Sequence, residues 1–280
     1  MSELTVKKVL NNNVLIANHI LMGEVVVIGS GIGYSRKKED TISTETVEKM
    51  FVLTNERERK NYLKLLPFIE DETQAVIISV IELIKQKINA PLNEHIHVAF
   101  TDHIMFAINR MKNGLELGNP FLMETKALYP KEFMIAKEVV DVINNQLHVN
   151  LSDGEVGFIA LHIHSAITNT DLSEVNQYSQ LISRLINMVE EQFQIVINKE
   201  SIDYMRLVRH LRFTIERVNN GESVKEPEKI AYLLKNEYPV CYNLSWKLIK
   251  VMQQVLQKPI FDAEAVYLTM HLQRLQNKYK

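Results

Sequence analysis

The sequence predicts a multidomain protein: a small all-β domain, an antiparallel sheet of about four strands, followed by two homologous all-α helical-bundle domains. Three observations carry that expectation. Residues 1–54 are rich in β-branched residues and turn formers and hold no helical stretch of any length. From Glu56 onward, apolar residues recur three and four positions apart. And one stretch is written twice, HIMFAINRMKNG at residues 103–114 and HLRFTIERVNNG at residues 210–221, with six of twelve positions identical.

In the first segment, LTVKKVL and NNNVLIANH read as short strands split by an Asn cluster suited to a turn. EVVVIG is a further β-branched run, closed by the turn GSGIGY, and VEKMFVLT supplies a last strand through Val47 and Met50. About fifty residues bury too little apolar surface to be secure alone, so dimerisation through the sheet is expected. NERERKNYLKLL then opens the helical part, with Tyr62, Leu65, Leu66 and Ile69 at helical spacing. TQAVIISVIELIKQKI, HIHVAFTDHIMFAINRM and KEFMIAKEVVDVINNQL continue it, punctuated by Pro91, Gly114, Gly118, Pro120 and Pro130. SDGEVGFIALHIHSAI starts on Ser152 with Glu155 three positions on, the pattern of a capping box.

The duplication runs beyond the opening stretch. Tyr129-Pro130 returns as Tyr238-Pro239, and DGEVGFIALH (153–162) returns as DAEAVYLTMH (262–271). A period near 108 residues is far longer than that of solenoid repeats, so each copy is a domain, with a boundary near Asp171–Leu172.

Composition narrows the function classes. A 46% hydrophobic content suits packed cores, and a formal net charge of −2 does not by itself announce a polyanion as partner. The single cysteine, Cys241, excludes an internal disulfide framework and fits a reducing, cytoplasmic compartment. No apolar run has the length of a membrane span, and MSELTVKKVLNNN lacks the apolar core of a signal peptide. His95/His97 and His162/His164 are two apart, which on a helix points them away from each other, and no HExxH spacing occurs; no metal is expected. GSGIG is followed by YSRKKED rather than by an amphipathic helix, so a dinucleotide or phosphate loop is not expected, nor any other cofactor or enzymatic activity.

Two patterns remain. Each helical copy carries two aligned histidines, His103 and His162, then His210 and His271. His103 shares a helix face with Arg110, and His210 with Arg217, an arrangement suited to an anion such as a phosphoryl group, although histidines that only pack helices together would be duplicated too. Up to Lys38, five bases (Lys7, Lys8, Arg36, Lys37, Lys38) face only Glu3 and Glu24, a local excess able to contact phosphates. Asn11, Asn12 and Asn13 could read base edges, Gly29, Gly31 and Gly33 allow close backbone approach, and Tyr34 offers a stacking ring. The same residues also make ordinary turns. Two readings stay open: a nucleic-acid-binding regulator, or a phosphotransfer carrier whose N-terminal sheet only dimerises it.

KKVLNNNVL followed by EVVVIGSGIGYSRKK resembles the N-terminal RNA-binding module of transcriptional antiterminators of the BglG/SacY type. TDHIMFAI with GFIALH, then RHLRFTIER with YLTMH, resembles their two phosphotransferase-system regulation domains, and NEHIHVAFTDHI, NPFLMETKALYP and RFTIERV are most similar to the glucose permease operon branch. The resemblance covers essentially the whole chain. It implies an RNA-binding domain at 1–57 and regulation domains at 58–171 and 172–280. It implies RNA contacts at Lys8, Asn11, Asn13, Gly29, Gly31 and Tyr34; Ser30 stands where many relatives have Arg or Lys. It also implies phosphorylation of His103 and His162 by the sugar-specific permease component (EIIB), and of His210 and His271 by HPr. The implied work is that of a homodimer holding a leader-mRNA hairpin so that an overlapping terminator cannot form, with no insertion into the membrane.

Overall fold

The structure, a computed structural model, describes residues 3–29, 31–51, 56–65, 69–115, 117–222 and 228–279. Strands β1 (Glu3–Val9), β2 (Val14–His19), β3 (Gly23–Ile28), β4 (Thr41–Ser43) and β5 (Lys49–Phe51) form one antiparallel sheet in the order β4-β1-β2-β3-β5. The four expected strands are there. The fifth, β4, lies in what reads as loop sequence: three residues are too few for a period to show, and only pairing of Glu3, Leu4 and Thr5 with Ser43, Ile42 and Thr41 makes them a strand. The β1–β2 ladder carries a bulge between Val6 and Lys8, which re-aims the end of β1.

Both faces of this sheet are covered. On one, Leu4, Val6, Leu15, Ala17, Val25, Val27 and Ile42 pack with Ile32 from the following loop. On the other, Val14, Val26 and Ile28 pack against Tyr62, Ile69 and Ile78 from the helical part, with Val98 and Met105 at the margin. Covering both faces accounts for the unbroken apolar runs VLIA and VVVI, which alternation with water on one side would have interrupted. One face of the sheet is thus covered by helices of the same chain.

The helices are α1 (Glu56–Leu65), α2 (Asp71–Lys87), α3 (His95–Lys112), α4 (Leu122–Leu128), α5 (Pro130–Leu147), α6 (Asp153–Thr168), α7 (Leu172–Phe193), α8 (Ile202–Asn220), α9 (Glu228–Glu237), α10 (Pro239–Leu256) and α11 (Asp262–Tyr279). The order α2–α6 recurs as α7–α11. Pro130 and Pro239 open equivalent helices, where a missing N–H costs nothing. Asn-Gly closes α3 and α8 alike: Gly114 and Gly221 take φ of +68° and +70°, the left-handed turn that ends a helix.

The chain forms two compact units, residues 1–118 with 134–170, and residues 119–133 with 171–280. In the first unit α3 packs on α1, α2 and α6; in the second α11 packs on α8, α9 and α10, and α4 packs on α7 and α8. No helix among the described residues is long and apolar enough to cross a membrane.

Candidate functional site

The residues singled out near the N-terminus converge at one end of the sheet. Asn13 leads into β2, and its backbone carbonyl accepts the Gly29 N–H (3.0 Å) while its Oδ1 accepts the Gly31 N–H (2.8 Å). Asn11 Oδ1 accepts the Asn13 N–H at 2.9 Å, and Gly33 N–H donates to the Asn12 carbonyl at 2.8 Å. The Asn cluster and the Gly loop are thus one bonded structure joining the β1–β2 turn to the segment after β3. Glycine is required there for two different reasons. Gly31 has φ +66° with open space around its Cα, whereas a Cβ on Gly33 would lie 2.2 Å from the Asn11 carbonyl oxygen. Gly29 is similarly crowded, by the Thr46 carbonyl.

Tyr34 follows, 71% exposed as a residue and available for stacking. Lys8 is exposed on β1 with Ile16 opposite. Lys7 pairs with Glu24, one of the two carboxylates already set against the five bases. Ser30 lies outside the described residues. Asn11 Nδ2 donates to Gln74 Oε1 of α2 at 2.6 Å, so this end of the sheet touches the helical part directly.

The aligned histidines lie together in pairs, one pair in each copy. His103 on α3 and His162 on α6 have ring centroids 4.8 Å apart, and His210 on α8 and His271 on α11 have theirs 4.7 Å apart. His162 is buried with Phe100 at its edge, and burial, with His103 and His95 nearby, pushes its pKa down to about 3. Burial does the same to His210, with His271 and Arg217 adding to it, down to about 3. His271 is lowered by burial and by Arg206 and Arg274. Burial therefore favours the neutral form of His162, His210 and His271, the form with a lone pair able to act as a nucleophile.

Each pair sits beside a buried carboxylate, Glu155 in the first copy and Glu264 in the second. Glu155 was expected to close a capping box with Ser152, yet Ser152 makes no side-chain cap bond. Glu155 turns inward instead, ion-paired to Arg110, with Oε2 2.9 Å from His103 Nε2. A buried carboxylate finds more stabilisation beside a guanidinium than beside a backbone N–H at a helix end. In the second copy Glu264 accepts from Arg217 Nε and Nη2, both at 2.8 Å, and from Thr214 Oγ1 at 2.8 Å. The anion expected on the His–Arg face is thus supplied by the protein. The sequence signal was there: the Glu is kept, like the His, between DGEVGFIALH and DAEAVYLTMH.

The six identities of the repeated stretch now divide by role. His103/His210 and Arg110/Arg217 build the site, Ile108/Ile215 are core, and Asn113-Gly114/Asn220-Gly221 stop the helix. Phe106 and Phe213 are about half exposed.

Comparison with known proteins gives the following. A family described as CAT RNA binding domain matches residues 4–60, and one described as PRD domain matches residues 78–166 and 183–275. The chain is 57% identical over 274 residues to the PtsGHI operon antiterminator of Bacillus subtilis, covering 98% of both chains. It is 34% identical over 281 residues to Protein GlcT of Staphylococcus saprophyticus, covering 100% of both. It is 36% identical to the GlcA/glcB genes antiterminator of Staphylococcus carnosus, covering 97% of this chain and 96% of that one. A crystal structure of GlcT CAT-PRDI superimposes with a TM-score of 0.55 at 53% identity, covering 60% of this chain and 99% of that chain.

Proposed function

Because the chain belongs to the family of transcriptional antiterminators in which a CAT RNA-binding domain precedes two PRD domains, we propose that it binds a leader-mRNA hairpin through the Asn–Gly end of its sheet and is switched by histidine phosphorylation. It is an RNA-binding regulator of the glucose-permease-operon type and not an enzyme. In this reading residues 1–57 hold the RNA, and residues 58–171 and 172–280 are the regulation domains. The protein works in the cytoplasm as a homodimer. Exposed Ile20 and Leu21 at the β2–β3 hairpin tip support association, being costly to leave in water.

One observation carries the RNA reading: Asn11, Asn13, Gly29, Gly31 and Tyr34, scattered over 24 residues (34 − 11 + 1 = 24), are brought to one end of one sheet. Asn13 Oδ1 is engaged by Gly31, so the amide NH2 of Asn13 is the group offered to a base. Lys8 contacts phosphate and Tyr34 stacks on an unpaired base, the mode by which single-stranded loops are read. Holding the hairpin folded keeps its bases from an overlapping terminator.

The switch follows from the site's charges. His103 and His162 receive phosphate from the permease component EIIB, and His210 and His271 from HPr. A phosphoryl group brings about −1.5 to −2 charges against Glu155 or Glu264, so the carboxylate must leave and its arginine must change partner. In the first unit α3 carries both His103 and the Val98 and Met105 side chains packed under the sheet. Displacing α3 at His103 is therefore felt at the sheet face that backs the RNA-binding end. The rims of the two sites differ, Arg206 and Arg274 flanking His271 where the first copy has Ala99 and Ser165, which supports different donors.

The test is a gel-shift titration of the full chain against its leader hairpin over a range of salt, with Asn13→Ala and Asn13→Asp beside it. Asp keeps the oxygen that accepts Gly31 N–H and loses the NH2 group. Binding that weakens steeply with salt and is lost in both variants is expected. Asn13→Asp binding like wild type refutes the assignment of Asn13 as an RNA contact.

A further inference from the structure

The two histidine sites are built to one plan but filled differently. In the first copy Arg110 is, among the described residues, the one side-chain hydrogen-bond donor holding the carboxylate, and three buried atoms there have no hydrogen-bond partner among those residues: Arg110 Nε, Glu155 Oε2 and His103 Nε2. The last two are 2.9 Å apart, within hydrogen-bond distance though off the line of a ring N–H. In the second copy Arg217 grips Glu264 with both nitrogens, and Thr214 Oγ1 takes a further position on Oε2 while also standing 3.4 Å from Arg217 Nη2. Oε2 is then filled, and His210 Nε2 is left 3.7 Å away, buried and without a hydrogen-bond partner. The residue at the Thr214 position in the first copy is Ala107, 107 residues earlier (214 − 107 = 107).

We propose that Thr214, against Ala107, makes the two histidines chemically unlike: it clamps Glu264 onto Arg217 and so leaves Nε2 of His210 a bare nucleophile 3.7 Å from the carboxylate, while Glu155 Oε2, with no such clamp, stands 2.9 Å from His103 Nε2, within reach of a proton there. A proton on His210 Nε2 would point at no acceptor, and a buried unpaired N–H is disfavoured, so the proton resides on Nδ1. The groups facing His210 are Glu264 and His271 from α11 and Arg217 from its own helix. α4 and α7, which also pack on α8, bring Glu124 and Glu190 against Tyr204 instead. In the second copy, transfer from a phosphohistidine carrier proceeds as the lone pair on Nε2 forms the new P–N bond. The donor's P–N bond breaks with its electron pair returning to the donor's ring nitrogen, and Nδ1 keeps its proton. In the first copy the carboxylate must first give up Nε2, which makes phosphorylation there conditional on moving Glu155.

This inference rests on reading the histidines as phosphoryl acceptors, and the experiment separates the two. Long-range nitrogen–proton NMR of the full-length protein reports which ring nitrogen of His210 carries the proton. Wild type is expected to show the Nδ1–H form. Thr214→Ala, which frees a lone pair on Oε2, shifts the balance toward Nε2–H by roughly tenfold, Thr214→Ser restores it, and Ala107→Thr moves His103 the opposite way. An unchanged His210 spectrum in Thr214→Ala overturns the proposal. Phosphohistidine formation is then followed by mass spectrometry with phosphorylated HPr as donor, with slower labelling of His210 expected in Thr214→Ala and recovery in Thr214→Ser. Equal labelling of His210 in wild type and Thr214→Ala overturns the nucleophile assignment. If the NMR forms exchange as stated while no variant is labelled, Thr214 sets the proton position and the acceptor reading falls.

Discussion

Replacing Gly33 by alanine tests the joined Asn–Gly structure most directly. The new Cβ would stand 2.2 Å from the Asn11 carbonyl oxygen and 3.1 Å from Val9 Cγ1. Ordinary carbon–oxygen contact is above about 3 Å, so the loop after β3 has to move away from the β1–β2 turn by roughly 1 Å. That motion breaks the 2.8 Å bond from Gly33 N–H to the Asn12 carbonyl and drags Asn11, whose amide is also tied to Asn13 and Gln74. A lost hydrogen bond costs about 1 kcal/mol and forced overpacking about 1–3 kcal/mol, together about 2–4 kcal/mol. Gly31→Ala is the control: its cost is a left-handed φ without a clash, about 1–2 kcal/mol. Hydrogen exchange of β1 and β2 amides in the full-length protein reads these local openings, tenfold in rate for about 1.4 kcal/mol. Gly33→Ala should exchange roughly 30- to 1,000-fold faster than wild type and faster than Gly31→Ala. Exchange in Gly33→Ala no faster than in Gly31→Ala would refute the close-approach argument.

Two further outcomes follow from buried charge. Glu124 is fully buried against Tyr204, with Oε1 2.7 Å from Lys199 Nζ; since Lys199 is about a third exposed, Lys199→Ala should cost roughly 2–3 kcal/mol in urea unfolding. Adding Glu124→Gln should recover part of that loss, and a double variant no more stable than the single one contradicts an uncompensated charge as the cause. His97, His162 and His210 are each pushed down to about 3 by burial, below the 6.5 of an exposed imidazole. The unfolded chain therefore binds more protons than the folded one between these values, and stability falls as pH drops from about 6.5 toward 3, by up to about 1.4 kcal/mol per pH unit for each ring. Melting temperatures that stay level from pH 7.5 to 5 would mean that these rings are not held neutral.

What was legible in the sequence was whatever depends on neighbours along the chain. Helical spacing from Glu56 on, the Asn-Gly helix stops and the internal duplication are local or repeated patterns, and repetition singles out His103, His162, His210 and His271 without any structure. Glu155 shows the limit of local reading. Ser152 and Glu155 have capping-box spacing, but the choice between a backbone N–H one turn away and a guanidinium 45 positions back in the chain (155 − 110 = 45) is made by packing of α3 on α6. Strand β4 was lost for the same kind of reason, since three residues have no period and acquire their conformation from the strand beside them.

The sequence by itself determined the fold class, the two-copy plan and the residue types gathered at each site, because periodicity, turn chemistry and duplication are properties of the chain. Tertiary structure alone decided that the sheet's second face is covered by α-helices of the same chain, that Asn13 Oδ1 is taken by the Gly31 N–H, and that Glu264 is clamped by a threonine where Glu155 is not. Those are outcomes of distance between residues far apart in sequence. A hydrogen bond or an ion pair exists or fails within a few tenths of an ångström, and that scale is set only when helices and strands pack.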